Sequence, residues 1–118
     1  MSVAGLSVLI VEDEPVVGMA LEDMLIDAGA EPVCAGTVEQ ALSLLTTCAF
    51  DAAILDINVH GVQSYPVAEE LVERGVPFVF ATGYGEVLNA PEFAHVPTVA
   101  KPYSFPDIMA ALARVSGG

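Results

Sequence analysis

Apolar residues gather in five short runs along the chain, at positions 6–11, 32–35, 52–55, 78–81 and 96–100. The runs at 6–11 and 78–81 are almost continuously apolar and do not alternate. That pattern fits strands buried on both faces, as in a parallel sheet covered by helices. Helical patterns fill three of the four gaps and follow the last run. Pro15 opens the first, a favoured first helical position. Val17, Leu21, Met24, Leu25 and Ala28 mark its inner face, and Gly29 is a stop signal. Thr37 with Gln40 reads as a capping box opening the second helix, whose apolar face is Ala41, Leu44, Leu45 and Cys48. The third follows Ser64, turns Val67, Leu71 and Val72 inward, and ends at Gly75. Ser104 with Asp107 caps the last, with Ile108, Ala111, Leu112 and Val115 inward. Residues 83–95 hold two glycines, Pro91 and few obvious core anchors. A short or irregular fourth helix is predicted there. The whole reads as five β–α units in one domain spanning 1–118, with right-handed crossovers placing helices on both faces of a parallel sheet.

The hydrophobic fraction is 54%, high enough to raise the question of a membrane. The distribution answers it: the longest stretch without Asp, Glu, Lys or Arg is 57–68, only 12 residues, and it includes Asn, His, Gln, Ser and Pro. A spanning helix needs about 20 mostly apolar residues. No basic segment precedes an apolar run at the N-terminus, so no signal peptide is visible and a cytoplasmic protein is expected. Sixteen acids face three bases, a net charge of −13. Such a surface repels phosphate backbones and anionic lipid, which argues against nucleic-acid and membrane partners. Cys34 and Cys48 lack metal-type spacing and are expected as small buried hydrophobes.

Chemistry concentrates where the predicted strands end. The first run leads into Glu12-Asp13, the third into Asp56, the fourth into Thr82 and the fifth into Lys101-Pro102. Ligands of open parallel sheets bind beyond these C-terminal strand ends, so the residues are expected on one solvent-facing rim. Two unit charges roughly 4 Å apart repel by about 4 kcal/mol at an effective dielectric of about 20. Three carboxylates therefore call for protons or a cation. An all-oxygen site with room for water suits Mg²⁺, or Mn²⁺. Lys101 is the only lysine in 118 residues. A lone ammonium opposite an acid cluster reads as a partner for a phosphoryl oxygen or for Asp56 itself. His60 and His95 are expected as loop residues.

These residues resemble the receiver domain of bacterial two-component response regulators. The resemblance rests on Val8-Leu9-Ile10-Val11-Glu12-Asp13-Glu14-Pro15, on Ala53-Ile54-Leu55-Asp56-Ile57-Asn58, on Thr82 and on Lys101-Pro102. It covers essentially the whole chain. It implies a flavodoxin-like (βα)₅ three-layer sandwich of strand order 2-1-3-4-5. It implies Asp56 as phosphoacceptor and Glu12 and Asp13 as metal holders with Asp56. The backbone carbonyl of Asn58 would be a further ligand, and Thr82 and Lys101 would meet the phosphoryl oxygens. A cis Lys101-Pro102 bond is also implied. Many receivers carry an aromatic switch residue three positions before the lysine. Thr98 stands there, so Tyr84, two after Thr82, is the substitute candidate, with a plain surface aromatic as the alternative. The segment Pro77-Phe78-Val79-Phe80-Ala81-Thr82-Gly83-Tyr84-Gly85 is similar to the signature of the FAT GUY receivers. These are often stand-alone proteins, and many work with histidine kinases of the HWE type.

The resemblance implies a stand-alone phosphoacceptor of a phosphorelay. It would be charged by a histidine kinase or phosphotransfer protein and would signal by contact with a downstream protein. Three alternatives stay open. One is a receiver excised from a hybrid histidine kinase or longer response regulator. Another is a metal-dependent aspartyl-phosphate phosphohydrolase, although a haloacid-dehalogenase-type site would want a second Asp where Asn58 stands. The third is an interaction domain that never receives phosphate. Self-catalysed phosphoryl transfer without enzymatic turnover is the expectation.

Overall fold

The computed structural model describes residues 3–83, 90–101 and 103–115. Tyr84, Pro102 and the side chain of Val115 lie outside the described part, and with them the switch candidate and the cis bond. The strands are β1 (Ser7–Val11), β2 (Glu31–Ala35), β3 (Ala52–Asp56), β4 (Asn58–Val59), β5 (Val62–Gln63), β6 (Phe78–Thr82) and β7 (Thr98–Ala100). The helices are α1 (Pro15–Asp27), α2 (Val38–Thr47), α3 (Tyr65–Arg74) and α4 (Phe105–Val115), with a 3₁₀ turn at Pro91–Phe93. The main sheet is parallel, in the order β2-β1-β3-β6-β7. Counting its five strands alone in chain order, this is the expected 2-1-3-4-5.

The strands separate two cores by simple alternation. Leu9, Val11, Ala53, Leu55, Phe78 and Phe80 face a layer containing residues of α2 and α3. Val8, Ile10, Ile54, Val79, Ala81 and Val99 face Leu21 and Leu25 of α1 and Ile108, Ala111 and Leu112 of α4. The continuous apolar runs are thus continuous because both faces are covered. β2 is an edge strand, partly exposed, and tolerates Pro32.

The caps mostly follow the sequence. Thr37 accepts from the Gln40 amide at 3.0 Å, and Gln40 Oε1 reaches back to the Gly36 N–H at 2.8 Å. The Asp107 amide donates to Ser104 Oγ at 3.3 Å. Gly75 closes α3 in the left-handed conformation, φ 71°. Ser64 is wholly buried, and its hydroxyl caps nothing.

Three expectations fail. Val72 is 57% exposed and does not turn inward. At about 100° per residue, Val67, Ala68 and Leu71 already span the inner face, and Val72 falls past its edge. Cys48 is exposed and Cys34 only partly buried. Cys48 is the C-cap of α2, with extended backbone that takes it off the helix's buried face. Residues 90–95 are anchored better than expected: Ala90 and Phe93 are buried. The Phe93 ring lies 5.8 Å from Phe80, 5.9 Å from Tyr65 and 6.1 Å from Phe78, an aromatic cluster beneath the segment.

Candidate functional site

β1, β3, β6 and β7 end on the same side of the sheet and bring their terminal residues together. A carboxylate oxygen from each of Glu12, Asp13 and Asp56 lies within 4.8 Å of the other two. Lys101, one residue past β7, reaches across the strand ends. Its Nζ stands 2.9 Å from Asp56 Oδ2 and 2.8 Å from Glu12 Oε1. The Lys101 amide donates to the Thr82 carbonyl at 2.9 Å, which extends the β6–β7 ladder and fixes where the side chain starts.

Asp56 does not sit on an open rim. It is 3% exposed, and its Oδ1 is buried without a hydrogen-bond partner among the described residues. Burial, with the Glu12 charge beside it, pushes the Asp56 carboxyl up to about 7, although the Lys101 ammonium opposes the rise. Burial alone would lower the Lys101 pKa. The hydrogen bonds and charges of Glu12 and Asp56 outweigh it and hold the ammonium protonated well beyond its usual range. At Asp13, burial raises the carboxyl, but the His60 amide and Glu12 reverse this and leave it below the ordinary value.

Two features have no counterpart in the sequence reading. The first is the hairpin of β4 and β5, which pairs Asn58 with Gln63 and Val59 with Val62. Its two central residues both have positive φ, His60 at 51° and Gly61 at 76°. That is the requirement of a type I′ turn, which matches the twist of the flanking strands. The turn aims the His60 N–H at Asp13 Oδ2, 2.8 Å away. His60 is a loop residue as expected, but its backbone is part of the site. Gly61 directly after it was the one available signal. The second is Tyr103, whose hydroxyl donates to Glu12 Oε1 at 3.4 Å. Glu12 Oε2 also accepts from the Glu14 amide at 3.1 Å, tying the carboxylate to the start of α1.

Thr82 is partly buried at the end of β6, with its hydroxyl donating to the Val99 carbonyl at 3.4 Å. Asn58 begins the hairpin on the exposed side, two residues past Asp56. His95 is exposed, in the loop before β7.

The donor set fits a hard divalent cation. Three carboxylates and one ammonium leave about two negative charges to neutralise, all donors are oxygens, and Asp56 Oδ1 is a buried acceptor unused among the described residues. No helix among the described residues is long and apolar enough to cross a membrane.

Comparison with known proteins places this geometry in context. The chain matches the response regulator receiver domain over residues 8–113. It is 42% identical to SdrG from Sphingomonas melonis Fr1, covering 98% of each chain, with a TM-score of 0.86. Against the BeF3-activated conformation of SdrG the TM-score is 0.79 at 41% identity, covering 96% of this chain and 98% of that one. The receiver domain of the sensor histidine kinase PA1611 from Pseudomonas aeruginosa PAO1 is 25% identical over 98% of this chain and 100% of its own, TM-score 0.82. In that structure a magnesium ion is coordinated in the active site cleft. The positive alginate biosynthesis regulatory protein of Pseudomonas aeruginosa is 32% identical over 94% of this chain and 47% of its own length. The chain spans less than half the length of the curated relatives it matches. Extent of match, fold and the acid–lysine cluster agree: the chain belongs to the response regulator receiver domain family.

Proposed function

We propose that the chain works as a stand-alone phosphoacceptor that takes a phosphoryl group on Asp56 and signals by protein contact. The observation that carries the reading is the asymmetry of the Asp56 carboxylate. Oδ2 is held by Lys101, while Oδ1 is buried and has no hydrogen-bond partner among the described residues, on a carboxylate that comes within 4.8 Å of Glu12 and Asp13. An oxygen kept free at the centre of a charged cluster is costly structurally and suited to a nucleophile.

The donor is a phosphohistidine of a histidine kinase or phosphotransfer protein. Asp56 Oδ1 attacks phosphorus, the P–N bond breaks, and the imidazole leaves and takes up a proton. Glu12, Asp13, Asp56 and the Asn58 carbonyl would hold Mg²⁺, or Mn²⁺, and the bound ion would supply neutralisation of charge on the transferred group. Lys101 exchanges Asp56 Oδ2 for a phosphoryl oxygen, and Thr82 gives up the Val99 carbonyl to donate to another. The PA1611 receiver, with magnesium in its active site cleft, supports the choice of metal. A groove of about 460 Å³ beside the site, lined by Val16, Ala20, Met24, Lys101 and Tyr103, suits the apolar surface of the donor. Val16 there is 80% exposed.

Phosphoryl transfer is self-catalysed and the acyl phosphate decays slowly, without enzymatic turnover; Asn58 leaves no second aspartate to speed hydrolysis. The likeness to the FAT GUY signature supports a kinase of the HWE type, and a cytoplasmic setting belongs to the same reading. The test is incubation with Mg²⁺ and acetyl phosphate. A single acid-labile phosphoryl group that is absent in Asp56→Asn is expected. No incorporation, or incorporation unaffected by Asp56→Asn, overturns the reading.

A further inference from the structure

Away from the phosphoacceptor site, α3 and the 3₁₀ turn enclose a groove of about 490 Å³ lined by Glu69, Val72, Glu73, Glu92, Phe93 and His95. Val72 is an apolar residue of α3 that the core does not use: it is 57% exposed. Carboxylates stand on both banks, Glu69 and Glu73 on α3 and Glu92 on the 3₁₀ turn. The one cation of α3, Arg74, is turned to Glu70 at 3.0 Å and does not line this groove.

We infer that this groove docks a basic amphipathic helix of a partner protein. One apolar side chain would sit on Val72 and Phe93, flanked by lysine or arginine meeting Glu69, Glu73 and Glu92. The inference rests on the reading of the chain as a module that signals by protein contact, and it names the class of that contact. Charge selects the occupant. A second copy of this chain, with sixteen acids to three bases, would bring more acid to an acidic groove. Backbone chemistry selects its conformation. None of the groove's lining residues lies in a strand, so an extended segment would find no ladder to join. A helix satisfies its own backbone and presents anchors at i, i+3 or i+4 and i+7.

The groove is also wired to the site. Its floor residue Phe93 packs 5.9 Å from Tyr65, the first residue of α3, which directly follows the β4–β5 hairpin beside Asp56. It packs 5.8 Å from Phe80, two residues before Thr82. One layer of packed rings thus joins the strand end at Thr82 and the start of α3 to the groove.

The test uses the full chain labelled with ¹⁵N. The probe is a synthetic helical peptide of leucine and lysine with leucines on one face, set against a scrambled peptide of equal composition. Amide shifts centred on 69–73 and 90–95 are expected, with the scrambled peptide binding at least tenfold more weakly. Val72→Asp should weaken binding at least tenfold. Combined Glu69→Gln, Glu73→Gln and Glu92→Gln should do the same and flatten the salt dependence. These positions are exposed, and thermal unfolding checks that the variants fold. Shifts centred on α1 around Val16 and Met19, equal binding of the scrambled peptide, or wild-type affinity in Val72→Asp each overturn the groove. Acetyl phosphate labelling of the same variants should stay at the wild-type rate. Its failure in the wild type would remove the phosphoacceptor reading while leaving the peptide map to be judged separately.

Discussion

Lys101 Nζ lies 2.8 Å from Glu12 Oε1, so the residue after the last strand is ion-paired with the residue after the first. The same ammonium is 2.9 Å from Asp56. One lysine thus holds two buried carboxylates together. Under the proposed function, a phosphoryl group on Asp56 would compete for a cation that already has a second partner, which would keep the lysine in place.

Lys101→Ala leaves Glu12 and Asp56 facing each other without a cation. Removing one partner of a buried ion pair costs about 3–5 kcal/mol. Urea unfolding of the metal-free protein should show a loss of this order. Millimolar Mg²⁺ should restore part of it, because a ligand of the native state alone raises stability. Unchanged stability would mean that the bridge carries no energy.

The raised Asp56 pKa sets a pH dependence of defined sign. Between about 4 and 7 the folded protein retains a proton that the unfolded chain has released. This contribution is fully present below about pH 4 and is lost as pH rises through about 7. Asp13, held below its ordinary value, acts in the opposite sense and only at acid pH. Comparing wild type with Asp56→Asn isolates the first effect. The variant should gain about 0.5–2 kcal/mol at pH 8 in the absence of metal. That advantage should shrink towards pH 5. An advantage that grows on acidification would contradict the burial of an ionisable Asp56.

Gly61 tests the hairpin as part of the metal site. Its φ is 76°, and a Cβ there would meet nothing within 4 Å, so any cost of substitution is conformational. Gly61→Val should destabilise the protein by about 1–2 kcal/mol. It should also loosen the His60 amide from Asp13 and weaken Mg²⁺ binding measured by calorimetry. Gly61→Asn, which tolerates the left-handed region, should do less of both. Equal Mg²⁺ affinity in all three proteins would detach the turn from the site.

Thr82 separates switching from stability. Its hydroxyl bond to Val99 is long, 3.4 Å, so Thr82→Ala should change stability by less than about 1 kcal/mol. Amide exchange with and without beryllofluoride should respond at 90–100 in the wild type. In Thr82→Ala that response should be lost while changes around Asp56 persist. An intact response in the variant would exclude the hydroxyl from the relay.

The buried strands could be read from the sequence because each is covered on both faces, and so Leu9 and Ile10 alternate between cores without a polar break. The acids and the lysine could be read for a related reason. A charged residue placed directly after such a strand emerges at the sheet's C-terminal edge in any parallel arrangement. What could not be read was how these side chains share space. That Lys101 spans Glu12 and Asp56, that Asp56 is covered, and that its Oδ1 is left unpaired among the described residues depend on strand order and side-chain reach. The hairpin aiming the His60 amide at Asp13 depends on a turn over His60-Gly61, a pairing with a weaker local signature than Asn-Gly. Val72 reads as a core residue and ends in solvent, while Phe93, in a segment with little apolar pattern, becomes a core anchor. Periodicity along one helix records its own apolar face, and only the neighbouring elements decide how wide a face the packed core can cover.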